Sequence, residues 1–164
     1  MTTTALGGTP VTLVGDLPAI GSSAPDFRLI GTDLTTEVTR PTDKRTVLNI
    51  FPSVDTGVCA ASVRAFNEMA AGLADTQVIC VSQDLPFAQA RFCGAEGIES
   101  VVAASTFRST FGHDYGVALT DGKFEGLLAR AVVVIDRDGT VLHTELVPEI
   151  AQEPDYDAVA AALA

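Results

Sequence analysis

The sequence predicts an α/β fold, a central mixed sheet flanked by helices. Short apolar runs alternate with helical periodicity through the middle of the chain, and a turn signal joins two β-rich runs near its end. The apolar content is that of a compact protein: of 164 residues, 47% are hydrophobic and 19% charged, which excludes an obligately disordered chain. That length buries a core without metal or disulfide staples, so one domain over residues 1–164 is expected.

The elements follow in order. Thr3 to Val14 carries Gly7-Gly8 between short β-rich stretches, a small N-terminal hairpin. Thr46 to Phe51 is nearly all apolar, as a central strand covered on both faces should be, and Pro52 stops it. From Cys59 onward Val63, Phe66, Ala70 and Leu73 recur at spacings of three and four, with Arg64, Asn67 and Glu68 on the polar side, which predicts an amphipathic helix. Gln77 to Ser82 reads as a second strand, Leu85 to Gly94 as a helix with Pro86 in its first turn, and Val101 to Ser105 as a third strand. This βαβα order implies parallel strands. Ala131 to Ile135 and Thr140 to Val147 flank the turn Asp136-Arg137-Asp138-Gly139, and Tyr156 to Leu163 forms a closing helix after Pro154.

The formal net charge of -11 gives a negative field that repels phosphate backbones and anionic lipid, so neither nucleic acid nor membrane is expected as a partner. Met1 to Pro10 has no basic n-region or signal-length apolar run, which makes cytoplasmic residence the expectation. Cys59, Cys80 and Cys93 are an odd count at wide spacing, unlike a secreted disulfide framework, and in a reducing compartment they are candidates for chemistry.

Pro52-Ser53-Val54-Asp55-Thr56-Gly57-Val58-Cys59 lies between the buried strand and the amphipathic helix. A cysteine in a first helical turn feels unsatisfied backbone N–H groups and the positive end of the macrodipole, which favour thiolate over thiol. Pro52 rigidifies the loop and shields the sulfur, while Thr56 offers a hydroxyl three residues away. Lowering a cysteine pKa from about 8.5 to about 6 raises the thiolate fraction at pH 7 only roughly thirtyfold, about 2 kcal/mol. The larger share of an enzymic acceleration must come from donors that align the reacting bond: the amides of Val58 and Cys59, the Thr56 hydroxyl and an arginine. Cys80, within Val78-Ile79-Cys80-Val81, reads as a quiet core residue.

The pattern Pro52-x-x-x-Thr56-x-x-Cys59 resembles the peroxiredoxin signature, and Asn49 to Arg64 is similar to the bacterial thiol peroxidase branch of that family. Leu85-Pro86-Phe87-Ala88, Arg91 to Gly97, Ala129 to Asp136 and Glu153 to Tyr156 continue the likeness, whereas Gly31 to Arg45 matches poorly. The resemblance implies a thioredoxin-like fold and reduction of hydrogen peroxide and organic hydroperoxides, with Cys59 as the peroxidatic cysteine that becomes a sulfenic acid. It implies that Cys93 resolves this as an intramolecular disulfide, that Pro52, Thr56 and Arg130 complete the active site, and that thioredoxin recycles the enzyme. A homodimer with a preference for alkyl hydroperoxides, and no metal or bound organic cofactor, are further expectations. The residues alone leave two partners for Cys59, because a separation of 34 positions from Cys93 neither forbids nor demands a bond. Cys80 could reach it only by tearing a sheet ladder, whereas a helix end eased by Gly94 and Gly97 can unwind, so Cys93 is the choice.

Other chemistries fit less well. The sequence has no Cys-x-x-Cys or Cys-x-x-His pair, and His113 and His143 lie far from each other and from the cysteines, which argues against a metal site. A thioredoxin-type reductase would want a second cysteine where Thr56 stands, and a cysteine protease would want a base that neither histidine supplies. The non-enzymatic alternative is a redox sensor oxidised stoichiometrically at Cys59, which steady-state turnover distinguishes from a peroxidase.

Overall fold

The computed structural model describes residues 2–164. At its start β1 (Thr3–Leu6) and β2 (Thr9–Thr12) pair antiparallel around Gly7 and Gly8, whose φ of 60° and 83° are the left-handed values that a two-residue hairpin turn requires. The main sheet has seven strands: β3 (Leu29–Gly31), β4 (Glu37–Val38), β5 (Arg45–Ile50), β6 (Thr76–Ser82), β7 (Val102–Ser105), β8 (Ala131–Ile135) and β9 (Val141–Leu146). They lie in the order β4-β3-β7-β6-β5-β8-β9. β5, β6 and β7 are parallel, as the βαβα pattern predicts, and the other pairings are antiparallel, so the sheet is mixed.

Alternation along β5, β6 and β8 sends side chains into two apolar layers. Leu48, Ile50, Ile79, Val81, Val133 and Ile135 meet Phe27, Phe111 and Tyr115 on one face, where the short α3 (Phe111–Asp114) and loops form the cover. Val47, Val78, Cys80, Val132 and Val134 meet α1 (Gly57–Ala70), α2 (Pro86–Glu96) and α4 (Tyr156–Leu163) on the other. α1 buries Cys59, Val63 and Phe66 on its apolar stripe, and the Phe66 ring meets Tyr156 of α4 edge-on at 5.2 Å between centroids. Such a pair adds about 1 kcal/mol beyond the area it buries. Leu73 packs in this layer but lies past the end of α1.

Two places add to the sequence reading. The segment from Gly31 to Arg45 holds β4, and with β3 it forms an antiparallel edge closed by a turn in which the Asp33 carboxylate accepts from the Thr35 and Thr36 amides and the Thr36 hydroxyl. His143 lies in β9, within the run Thr140 to Val147 expected to be a strand, and is partly buried.

Topology decides what the site is made of. Because β8 runs antiparallel to β5 with Ala131 opposite Ile50, the start of β8 lies beside the end of β5, where the loop to α1 departs. Leu146 lies opposite Ala131 on the other side, so the chain leaving β9 reaches the same corner.

Candidate active site

Phe51 and Pro52 are buried as the chain leaves β5. The loop is then pinned by a residue the sequence reading passed over. The Asp84 carboxylate accepts from the Ser53 hydroxyl at 2.7 Å, the Val54 amide at 2.9 Å and the Ser82 hydroxyl at 2.7 Å. It thereby fastens the loop to the end of β6 just before α2; an aspartate directly ahead of Leu85-Pro86 was the signal for it.

Thr56 is the N-cap of α1: its hydroxyl oxygen accepts from the Cys59 amide at 3.4 Å, and the hydroxyl donates to the Ser53 carbonyl at 3.2 Å. This changes the expected part list. The Cys59 amide serves the cap, and the Thr56 proton is committed to Ser53 until that hydroxyl rotates. Cys59 occupies the first turn with its side chain fully buried, and its carbonyl accepts from the Ser62 hydroxyl at 2.8 Å.

Arg130 immediately precedes β8 and is 1% exposed. Its Nη2 donates to Cys59 Sγ at 3.0 Å and its Nε to the Ile150 carbonyl at 2.7 Å, while Nη1 has no hydrogen-bond partner among the described residues. Nor does any carboxylate among the described residues pair with this guanidinium. The guanidinium therefore presents a positive charge to the Cys59 sulfur with no carboxylate among the described residues beside it to offset that charge.

All three cysteines are free and belong to the layer covered by α1, α2 and α4. Cys80 is held in β6 between Asn49 and Ala103, and burial pushes its thiol up to about 12 despite a weak pull downward from the Asn49 side chain. Cys93 is half-buried in the last turns of α2, where burial also raises its thiol. The helix ends there at Gly97, left-handed at φ 66°, whose amide donates to the Cys93 carbonyl. The structure thus brings Pro52, Thr56, Cys59 and Arg130 to one corner and places Cys93 on the neighbouring helix.

A polarised sulfur at a helix start, against a thioredoxin-like sheet, defines a thiol-based redox protein, and comparison agrees: the chain belongs to the Redoxin family, which matches residues 19–160. It is 60% identical to the thiol peroxidase of Mycobacterium tuberculosis over 96% of each chain, and 52% identical to that of Corynebacterium glutamicum over 99% of each. Its fold is similar to that of a peroxiredoxin-like protein from Aquifex aeolicus, with a TM-score of 0.94, 43% identity, and coverage of 98% of this chain and 95% of that one. The peroxiredoxin resemblance therefore holds, and the protein is a peroxidase of the thiol type. Among the described residues no helix is long and apolar enough to cross a membrane.

Proposed function

We propose that residues 1–164 act as one domain that reduces hydroperoxides at Cys59 and resolves the product with Cys93. The observation that carries this reading is the buried Arg130 guanidinium, unpaired with any carboxylate among the described residues, with its Nη2 3.0 Å from Cys59 Sγ. In the proposed first step the Cys59 thiolate attacks the terminal peroxide oxygen, the O–O bond breaks, and the leaving alkoxide takes a proton to depart as alcohol, or as water from hydrogen peroxide. Arg130 stabilises the thiolate before attack and, through the free Nη1, the charge that develops on the leaving oxygen. The Thr56 hydroxyl turns from Ser53 toward the substrate, and Pro52 keeps bulk water from the sulfur.

Cys59 has no exposed surface, so a peroxide larger than water reaches it only after the covering side chains give way. In the second step the Cys93 sulfur attacks the Cys59 sulfenic acid, a disulfide forms and water leaves. α2 must unwind for this, and its end at a left-handed glycine one turn past Cys93 favours opening there. A dithiol of thioredoxin type then reduces the disulfide. The proposed enzyme is a cytoplasmic homodimer that prefers alkyl hydroperoxides; the exposed Leu85 (52%) and Phe87 (67%) at the start of α2 offer an apolar patch for the dimer contact.

Cys59→Ser tests the reading: hydroperoxide turnover should vanish with the fold intact, because a serine hydroxyl is not ionised at neutral pH. Retention of more than a few per cent of the wild-type rate, a barrier raised by less than about 2 kcal/mol, would place the chemistry elsewhere.

A further inference from the structure

Arg130 is aimed by a backbone carbonyl, and that carbonyl belongs to a short segment with few means of holding itself still. Pro148 is exposed and Glu149 partly buried after β9, and Pro148 has no N–H to contribute. The segment is instead tied to the other end of the chain. Ala5 N donates to the Pro148 carbonyl at 3.0 Å, Ile150 N donates to the Ala5 carbonyl at 2.8 Å, and the Thr4 hydroxyl donates to the carbonyls of Val147 at 2.8 Å and Pro148 at 3.1 Å. Beneath them Ile150 packs with Val11, Leu13, Leu119 and Ala129, so the hairpin, the segment and the neighbour of Arg130 share one apolar cluster.

Glu149 closes this arrangement. Its Oε1 accepts from Gly8 N at 2.8 Å, and its Oε2 accepts from Gly7 N at 3.2 Å and Ala151 N at 3.0 Å. The two left-handed glycines turn their amides into one concavity, an anion-binding nest, and the carboxylate fills it. The amides of Ala151, Gly8 and Gly7 hold the Glu149 carboxyl below its ordinary value, so it is ionised at neutral pH.

We propose that Glu149 is a positioning residue for the peroxidase reaction: by clasping the hairpin turn and the Ala151 amide it fixes the Ile150 carbonyl, which aims the Arg130 guanidinium at Cys59 Sγ. This rests on the role assigned to Arg130 above. The N-terminal hairpin is then a part of the active-site wall, although none of its residues touches the sulfur. The linkage runs Gly7 and Gly8 amides, Glu149 carboxylate, Ile150 carbonyl, Arg130 Nε, Cys59 Sγ, every step a hydrogen bond or one residue of chain.

The test compares Glu149→Ala and Glu149→Gln in the wild-type and Arg130→Met backgrounds, all checked for an unchanged far-ultraviolet spectrum. Two readouts are taken: the pH midpoint for iodoacetamide alkylation of Cys59 in a Cys80→Ser, Cys93→Ser background, and the single-turnover rate with cumene hydroperoxide. Glu149→Ala should move the midpoint upward and slow the reaction about tenfold, as expected for slight misplacement of an aligned group. Glu149→Gln should recover part of both, since the amide oxygen still accepts. In the Arg130→Met background Glu149→Ala should change neither. An unchanged midpoint and rate in Glu149→Ala, or an equal loss with and without Arg130, overturns the positioning role. If Arg130→Met alone behaves as wild type, the Arg130 assignment itself falls, a result distinct from failure of the clasp alone.

Discussion

Arg130 and Cys59 arrive at the same corner from segments held in different ways. The guanidinium stands on a wall of backbone hydrogen bonds: Val147 N donates to the Arg130 carbonyl at 3.0 Å, Arg130 Nε donates to the Ile150 carbonyl at 2.7 Å, and β1 stitches the segment from behind. The two candidate redox cysteines lie near helix ends. Cys59 is capped by a hydroxyl at 3.4 Å, Cys93 lies near a left-handed terminus, and the ties from α2 back to α1 and its loop include the exposed ion pairs Arg91–Asp55 and Arg64–Glu96. Leaving a buried backbone group unpaired costs about 1–3 kcal/mol, whereas an exposed ion pair contributes about 0–1 kcal/mol. The segment that holds Arg130 is fixed by backbone pairing and the helix ends that carry Cys59 and Cys93 by weaker ties, which is the asymmetry the proposed cycle needs. Asp84 marks the boundary, pinning the loop base while leaving the first turn of α1 beyond it.

The largest effect should come from removing the moving partner. Cys93→Ser should consume one equivalent of hydroperoxide per chain at the wild-type rate and then stop turning over with thioredoxin, inactivating quickly as the sulfenic acid over-oxidises. Cys80→Ser should do neither, because that thiol is pushed up to about 12 inside a central strand. Peptide mapping after peroxide should find Cys59 joined to Cys93 within one chain. A Cys59 to Cys80 peptide would mean that the strand, not the helix, gives way. The pH dependence has a definite sign. Burial raises the Cys93 thiol above its ordinary 9.0, so the contribution to the folded helix is fully present below 9.0 and is lost as pH rises from there through the raised folded value. Resolution should therefore keep quickening above pH 9, where the thiolate fraction of an ordinary thiol levels off.

Next in size is the fixed half. Arg130→Met should slow the first turnover by about 100-fold to 1,000-fold, the range for losing one donor to a developing oxyanion, and should move Cys59 alkylation to higher pH. A profile and rate unchanged from wild type would show that the wall is scaffolding alone.

How much of this could be read in advance depended on whether the information was local. The turn at Gly7-Gly8, the apolar β5 and the stripe of α1 are patterns of adjacent residues, and the structure has them within a few residues of where the sequence placed them. β3 and β4, with three and two residues, are too short to carry a period; β3 depends on pairing with β7 far along the chain, and β4 pairs in turn with β3. The same division runs through the site. Pro52, Thr56 and Cys59 sit within eight consecutive residues, whereas Arg130 entered only through a family resemblance. The Glu149 clasp was illegible, because it joins amides 142 and 141 positions away to a carboxylate and acts through a carbonyl, which every residue has.

The smallest expected effect probes the latch on the moving half. Arg91 Nη2 and Asp55 Oδ1 are 2.5 Å apart, joining the middle of α2 to the loop before α1, and both side chains are 61% exposed. Solvent screening limits such a pair to about 1 kcal/mol, so Arg91→Ala should speed disulfide formation after peroxide by no more than about fivefold. Acid quench and mass spectrometry on a millisecond series would measure it. The difference between variant and wild type should close as salt rises, because it is the wild type that accelerates when the pair is screened. Removing Arg64, whose partner Glu96 lies one helical turn past Cys93, should add a similar increment if both pairs restrain the same opening. An Arg91→Ala enzyme that resolves more slowly at low salt would mean that the pair holds α2 in the geometry for attack, and that the moving half is more tightly organised than its exposed ion pairs suggest.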